Sequence, residues 1–167
     1  YHTAMEGSLR APFIIRWSGK VTEGATSNEI VHVTDLFATL AKLAGAELPA
    51  DRPIDGIDQS NFLFGMSDKS EREGFPFYIK DELRAVKWRD WKLHYYWEPE
   101  VNESKGKLES PYLFNLTVDP KEEHDIATAN SWVWVAASRL VDEFKDSMKQ
   151  YPNTEPGADG PVHYTKN

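Results

Sequence analysis

Apolar residues along the chain follow three different spacings, and each spacing predicts a different element. Phe13, Ile14, Ile15 and Trp17 form a short run interrupted only by Arg16, with a Gly7–Ser8 turn before it and Ser18–Gly19 after it. Pro12 disfavours helix at Ala11, so the run predicts a strand covered on both faces, the kind found in mostly parallel sheets. Residues 28–33 (NEIVHV) predict a second short strand after a polar loop at 20–26. Behind Thr34 or Asp35 the spacing becomes helical: Leu36, Phe37, Leu40, Leu43 and Ala44 share one face, and Gly45 stands where a left-handed cap ends a helix.

From Phe75 the period shortens to two. Residues 75–80, 84–88, 91–97 and 111–116 are aromatic or β-branched runs separated by polar turns, the pattern of an antiparallel meander. In the third run, alternation places Trp91, Leu93, Tyr95 and Trp97 on one face and Lys92, His94 and Tyr96 on the other. The Arg89–Asp90 link lacks the Gly of a primed hairpin turn, and residues 98–109 read as a charged, solvated loop. Ser131 is expected to cap a last helix running to about Lys149. Its stripe of Val133, Ala136, Ala137, Leu140, Val141, Phe144 and Met148 should pack on one face of the meander. Residues 151–167, rich in Pro and Gly, read as a loose tail. The expected organisation is therefore 1–74, 75–150 and 151–167. Its class is α/β, and α+β within these 167 residues taken by themselves: the edge of a large mixed sheet, then a small four-stranded antiparallel sheet packed on a C-terminal helix.

Composition narrows the functions. With 167 residues and 40% hydrophobic content, the chain can bury roughly two thirds of the surface its unfolded form exposes. A net charge of -8 argues against a nucleic-acid groove, which needs a clustered basic face. The absence of Cys removes disulfides, thiolate metal sites and thiol nucleophiles. No window approaches the ~18 apolar residues of a membrane span.

Candidate chemistry is sparse. Asp35 reads as a first-turn carboxylate favoured by the helix dipole, with a ligand role as the alternative. Asp51, Asp55 and Asp58 lack EF-hand spacing and read as a solvated turn. Glu122, Glu123, His124 and Asp125 read as a solvated polar corner, and the five histidines show no pair at ligand spacing. The Trp and Tyr residues admit a sugar-stacking platform, although core packing accounts for most of them. There is no Gly-x-Ser-x-Gly elbow, nucleotide loop or His-Glu-x-x-His motif.

Three stretches carry a resemblance. EGSLRAP at 6–12 resembles the Glu-Gly-Gly-x-Arg-x-Pro turn of type I sulfatases, members of the alkaline phosphatase-like superfamily. VHVTDLFATLAKLAG at 31–45 is similar to their Asp-Leu-x-Pro-Thr-Leu run before Ala-Gly, with Ala38 in the place of Pro. Leu113-Phe114-Asn115-Leu116, Asp119-Pro120 and Glu122 resemble the Leu-Tyr-Asn-Leu-x-x-Asp-Pro-x-Glu stretch near the sulfatase C-terminus. The sequence opens at Tyr1 with no initiator Met, and the expectation is the C-terminal portion of a sulfatase.

The resemblance implies hydrolysis of aryl or carbohydrate sulfate esters by a formylglycine nucleophile with calcium, both supplied upstream. It implies no catalytic or metal-binding residue and no bound cofactor in these residues, which would be inactive alone. Their only candidate substrate contacts are Tyr1 and His2, at the edge of the cleft. Tyr1 occupies the slot that many members give to a sulfate-binding Lys. A periplasmic or extracellular location is implied by the family. The alternatives are a non-catalytic carbohydrate-binding module and a phosphonate or phosphate monoester hydrolase of the same superfamily. Since residues 6 to about 60 would belong to a larger sheet, the apolar flanks of 13–17 and 35–44 are expected to be exposed in this chain.

Overall fold

The computed structural model describes residues 3–79, 81–100 and 106–152. A four-stranded antiparallel sheet forms its centre, with strands β1 (Gly74–Ile79), β2 (Glu82–Trp88), β3 (Trp91–Trp97) and β4 (Gly106–Asn115) neighbouring one another in chain order. The helices are α1 (Glu6–Leu9), α2 (Asp35–Leu43), α3 (Ser60–Leu63) and α4 (Trp132–Gln150). The meander and the last helix therefore stand where hydrophobic spacing placed them. β4 begins earlier than expected, because Gly106 and Lys107 pair with Trp97 and Tyr96 of β3 rather than looping through solvent. Residues 101–105 of that predicted loop and the tail from 153 lie outside the described residues.

The two sheet faces differ in kind. On one, Val86, Leu93 and Leu113 bury against Val133, Ala137 and Val141 of α4, with Leu140, Tyr95, Trp88 and Trp91 closing the edges. This face is apolar, and its stabilisation is the removal of hydrocarbon from water. Trp132, at the start of α4, meets Trp88 and Trp91 edge-on, with ring centroids at 6.2 and 5.6 Å. The opposite face carries Phe77, Ala85, Lys92, His94 and Phe114, and the amino-terminal segment covers it through Ala4 and Glu6.

Register explains two departures from simple alternation. The pairing slips between His94 and Tyr96, so Trp97 crosses to the His94 side, where it stacks on Phe114 at 5.2 Å and meets His94 at 5.7 Å. Strict alternation had put Trp97 with Leu93; an irregularity in the ladder resets the parity of every later residue. At the β2–β3 link, Arg89 takes the positive φ of 52° that Gly would normally supply. The backbone N–H of Arg89 donates to the Glu73 carbonyl at 2.7 Å, and its guanidinium donates to the Glu73 carboxylate at the same distance, which holds that conformation.

The first half is organised around α2 rather than around strands. Gly45, at φ 69°, ends α2 with a double closure in which its N–H donates to Lys42 and the Ala46 N–H donates to Ala41. Neither Thr34 nor Ser131 caps its helix through the side chain. Residues 13–17 and 28–33 form no strand. A strand requires backbone partners on a neighbouring chain segment, and none of the described residues supplies them there. Ile14 is 91% exposed, while Phe37 and Leu40 on the outer face of α2 are 54% and 61% exposed.

The apolar face generates a direct expectation. Leu113→Ala should lower the unfolding free energy by about 2–5 kcal/mol, the range for deleting a fully buried leucine side chain. Urea denaturation followed by tryptophan fluorescence measures it, and a loss under about 1 kcal/mol would contradict the packing described.

Candidate functional site

Lys87 and Lys92 face one another across the β2–β3 pair, since the two-residue link after Trp88 sets that register. Like charges directly opposite on a sheet repel. Here a carboxylate bridges them: Glu6 Oε2 accepts from Lys87 Nζ at 3.0 Å and Oε1 from Lys92 Nζ at 2.9 Å. Lys92 is wholly buried, and its ammonium also lies 3.2 Å from Glu122 Oε1 and 4.9 Å from the centre of the Phe77 ring. Glu122 Oε1 meets His94 Nε2 at 2.7 Å, while Oε2 accepts the backbone N–H of Glu6 at 2.8 Å. Two carboxylates, two ammonium groups and an imidazole thus form one connected cluster beneath α1.

Burial makes the cluster costly unless every charge has a partner. Burial pushes the Glu6 carboxyl upward, but the ammonium groups of Lys92 and Lys87 outweigh it and hold that carboxyl below its ordinary value. Glu122 behaves alike: burial raises it, and the bond to His94, the charge of Lys92 and the Glu6 N–H together bring it lower. Glu122 is only 2% exposed and sits at a positive φ of 62°. That conformation costs a non-glycine residue about 1–2 kcal/mol. The Asp119–Pro120 turn delivers it, with the Glu122 N–H donating to the Asp119 carbonyl at 3.2 Å. The side chain so aimed enters the cluster instead of water, correcting the expectation of a solvated corner at this position. Glu123, His124 and Asp125 are exposed as expected.

A second clasp orders the first half. Asp35 is fully buried and accepts from Arg72 Nε at 2.9 Å, from the Ile57 N–H at 2.8 Å and from the His32 N–H at 2.8 Å. Burial raises its carboxyl, and Arg72 with the two backbone donors more than reverses this. His32 is shifted downward by burial and by the Arg72 charge, against the opposing pull of Asp35. Gln59, also buried, receives the N–H of Glu71 and the hydroxyl of Ser70 on its side-chain oxygen. Asp35 is thus the centre of a cross-chain clasp, a role that the dipole argument alone did not reveal.

The remaining candidates have ordinary uses. Tyr1 and His2 lie outside the described residues. Asp51 pairs with Arg52 at the surface, and Asp58 pairs with Lys42 and caps Ser60. Asp119, Glu123 and His124 bring three donor groups together, but both carboxylate oxygens of Asp119 already accept the N–H groups of Glu123 and His124. That set does not fit calcium, which takes six to eight oxygen ligands. Asn115 closes the turn after β4 through its side chain, as expected, accepting from the Thr117 N–H at 3.0 Å. Much of the aromatic surface is spent on the core and the sheet faces, which leaves the sugar-platform reading without a supporting feature.

Residues 70–156 match the family model for the C-terminal region of aryl-sulfatase. Human (Homo sapiens) steryl-sulfatase is 31% identical over 168 residues, covering 87% of this chain and 29% of that protein. Arylsulfatase A of Bos taurus is 35% identical over 166 residues, covering 89% of this chain and 32% of that protein. Among solved structures, the PsFucS1 sulfatase from Pseudoalteromonas sp. superposes with a TM-score of 0.74 at 30% identity, over 83% of this chain and 30% of that one. The chain belongs to the sulfatase C-terminal region family. It spans about a quarter to a third of the length of the curated relatives it matches.

Two outcomes follow from the cluster. Glu122→Ala should destabilise the fold by about 3–5 kcal/mol, because it strands Lys92 and His94 in a dry site; equilibrium unfolding against wild type reads this. The acid response has a definite sign. A carboxyl whose pKa is lower folded than unfolded stabilises the fold above the unfolded value, and that contribution is lost as pH falls through the folded value. Stability from Glu6 and Glu122 is therefore complete above their ordinary value of 4.5 and drains away below it. Urea midpoints measured from about pH 6 down to about pH 3 should fall more steeply in wild type than in Glu122→Gln. Parallel slopes would show that these carboxyls are not linked to folding.

Proposed function

We propose that these residues are the C-terminal part of a sulfuric ester hydrolase acting on aryl or carbohydrate sulfates. The observation that carries this reading is the family match over residues 70–156, combined with coverage of under a third of each named sulfatase. The nucleophile and metal ligands then belong to the rest of the protein. The resemblance to type I sulfatases makes a formylglycine nucleophile and a calcium ion the expected pair; a site of that kind works by stabilising charge that builds on the transferred group. On this reading the described residues take no part in that step. Their contribution is to fold a rigid sheet-and-helix unit and hold the Glu6 turn against it. Tyr1 and His2 are proposed as the residues nearest the substrate, and the compartment as periplasmic or extracellular. No helix among the described residues is long and apolar enough to cross a membrane.

The test uses two polypeptides: the longer protein that contains these residues, matured with formylglycine, and the 167-residue chain alone. The longer protein should release the chromophore from an aryl sulfate in preference to a phosphonate monoester, and the shorter chain should release none. Preference for the phosphonate ester, or turnover by the shorter chain, would overturn the reading.

A further inference from the structure

The strongest unexplained feature is a non-glycine residue held at positive φ with its carboxylate buried. Backbone strain of this kind persists where surrounding contacts over-determine it, and it clusters where geometry matters to function. Glu122 does not stabilise its own turn. Its two oxygens reach away from it, one to His94 and Lys92 on β3 and the other to the backbone N–H of Glu6, 116 residues earlier. The Glu6 side chain returns the contact by spanning Lys87 and Lys92. The ionisable groups that meet here are Glu6 on α1, Lys87 on β2, Lys92 and His94 on β3, and Glu122 after β4. The two carboxylates face two ammonium groups.

The position of this cluster gives it consequence. Ala4 and Glu6 are the points of the first segment that are buried against the sheet. The segment beyond them, through Ile14 and Trp17, makes no strand and leaves its apolar side chains open. The same segment leads on to α2, so its docking fixes where that stretch leaves the sheet. The cluster therefore holds this segment to the sheet through side-chain and backbone contacts at Glu6.

We propose that Glu122, with His94, Lys92 and Lys87, is a positioning clasp that fixes the Glu6 segment to the C-terminal sheet and thereby sets the geometry of the active site without touching substrate. This rests on the sulfatase reading for its effect on turnover, but not for the docking of the segment. Small displacements far from the reacting atoms lower turnover because reaction requires a narrow range of approach.

Hydrogen exchange on the 167-residue chain tests the docking, and steady-state kinetics on the longer enzyme with a chromogenic aryl sulfate tests its consequence. Glu122→Gln keeps shape but removes charge; it should speed exchange across residues 3–9 at least about tenfold and leave the α4 amides unchanged. In the longer enzyme the same change should lower kcat about tenfold or more with KM within about twofold of wild type. Val141→Ala, which loosens α4 and touches no member of the clasp, should speed exchange in α4 and leave kcat unchanged. Should Glu122→Gln fail to fold, Lys87→Met, at the solvent edge of the cluster, gives the same readouts. Wild-type exchange at residues 3–9 in these variants would overturn the clasp, as would an equal loss of kcat in Val141→Ala. If the unmutated longer enzyme cleaves no sulfate ester, the sulfatase reading fails and exchange at residues 3–9 alone decides the clasp.

Discussion

Two lysines forced opposite one another by a two-residue hairpin link set the main constraint on this fold. Lys87 and Lys92 occupy the face of the sheet that α4 does not cover, and Lys92 has no access to water. An unpaired ammonium in such a place would cost several kcal/mol, so the sheet is complete only when carboxylates arrive from elsewhere. They come from both sides of the chain: Glu6 lies before the sheet and Glu122 after it. The docking of the amino-terminal segment is thus an electrostatic requirement of the sheet. On the α4 face, by contrast, any well-shaped hydrocarbon would suffice.

The Asp35–Arg72 clasp follows the same logic on a smaller scale. It ties the start of α2 to the stretch just before β1 and gathers the N–H groups of His32 and Ile57 onto one carboxylate. Directional contacts of this kind suit a region that lacks a large apolar core of its own. Phe37, Leu40 and Ile14 remain open on its outer side, although each is a residue that ordinarily prefers burial.

The family relationship and the physical reading support each other. The stretch Leu113-Phe114-Asn115-Leu116 with Asp119-Pro120 and Glu122 served first as a resemblance, and each of its parts has a distinct use in the structure. Leu113 and Phe114 fill opposite faces of the sheet, Asn115 closes a turn through its side chain, and Glu122 completes the charge cluster. The motif therefore describes how β4 ends and how its end is tied back to the start of the chain.

The residues by themselves determined the meander, its order and the last helix, because periods of two and of 3.6 are local properties of the backbone. Alternation in β3 even placed Lys92 and His94 together on the face away from Leu93. It could not identify what they meet there. Glu122, between Lys121 and Glu123, has the composition of a surface turn, and its burial depends on one positive φ that no neighbouring residue announces. The strand expected at 13–17 failed for a related reason: apolar spacing marks a segment able to pair, whereas pairing needs a second segment alongside it. Tertiary structure alone decided the buried charges, since contacts between residues 6, 92 and 122 arise only when distant parts of the chain close on one another.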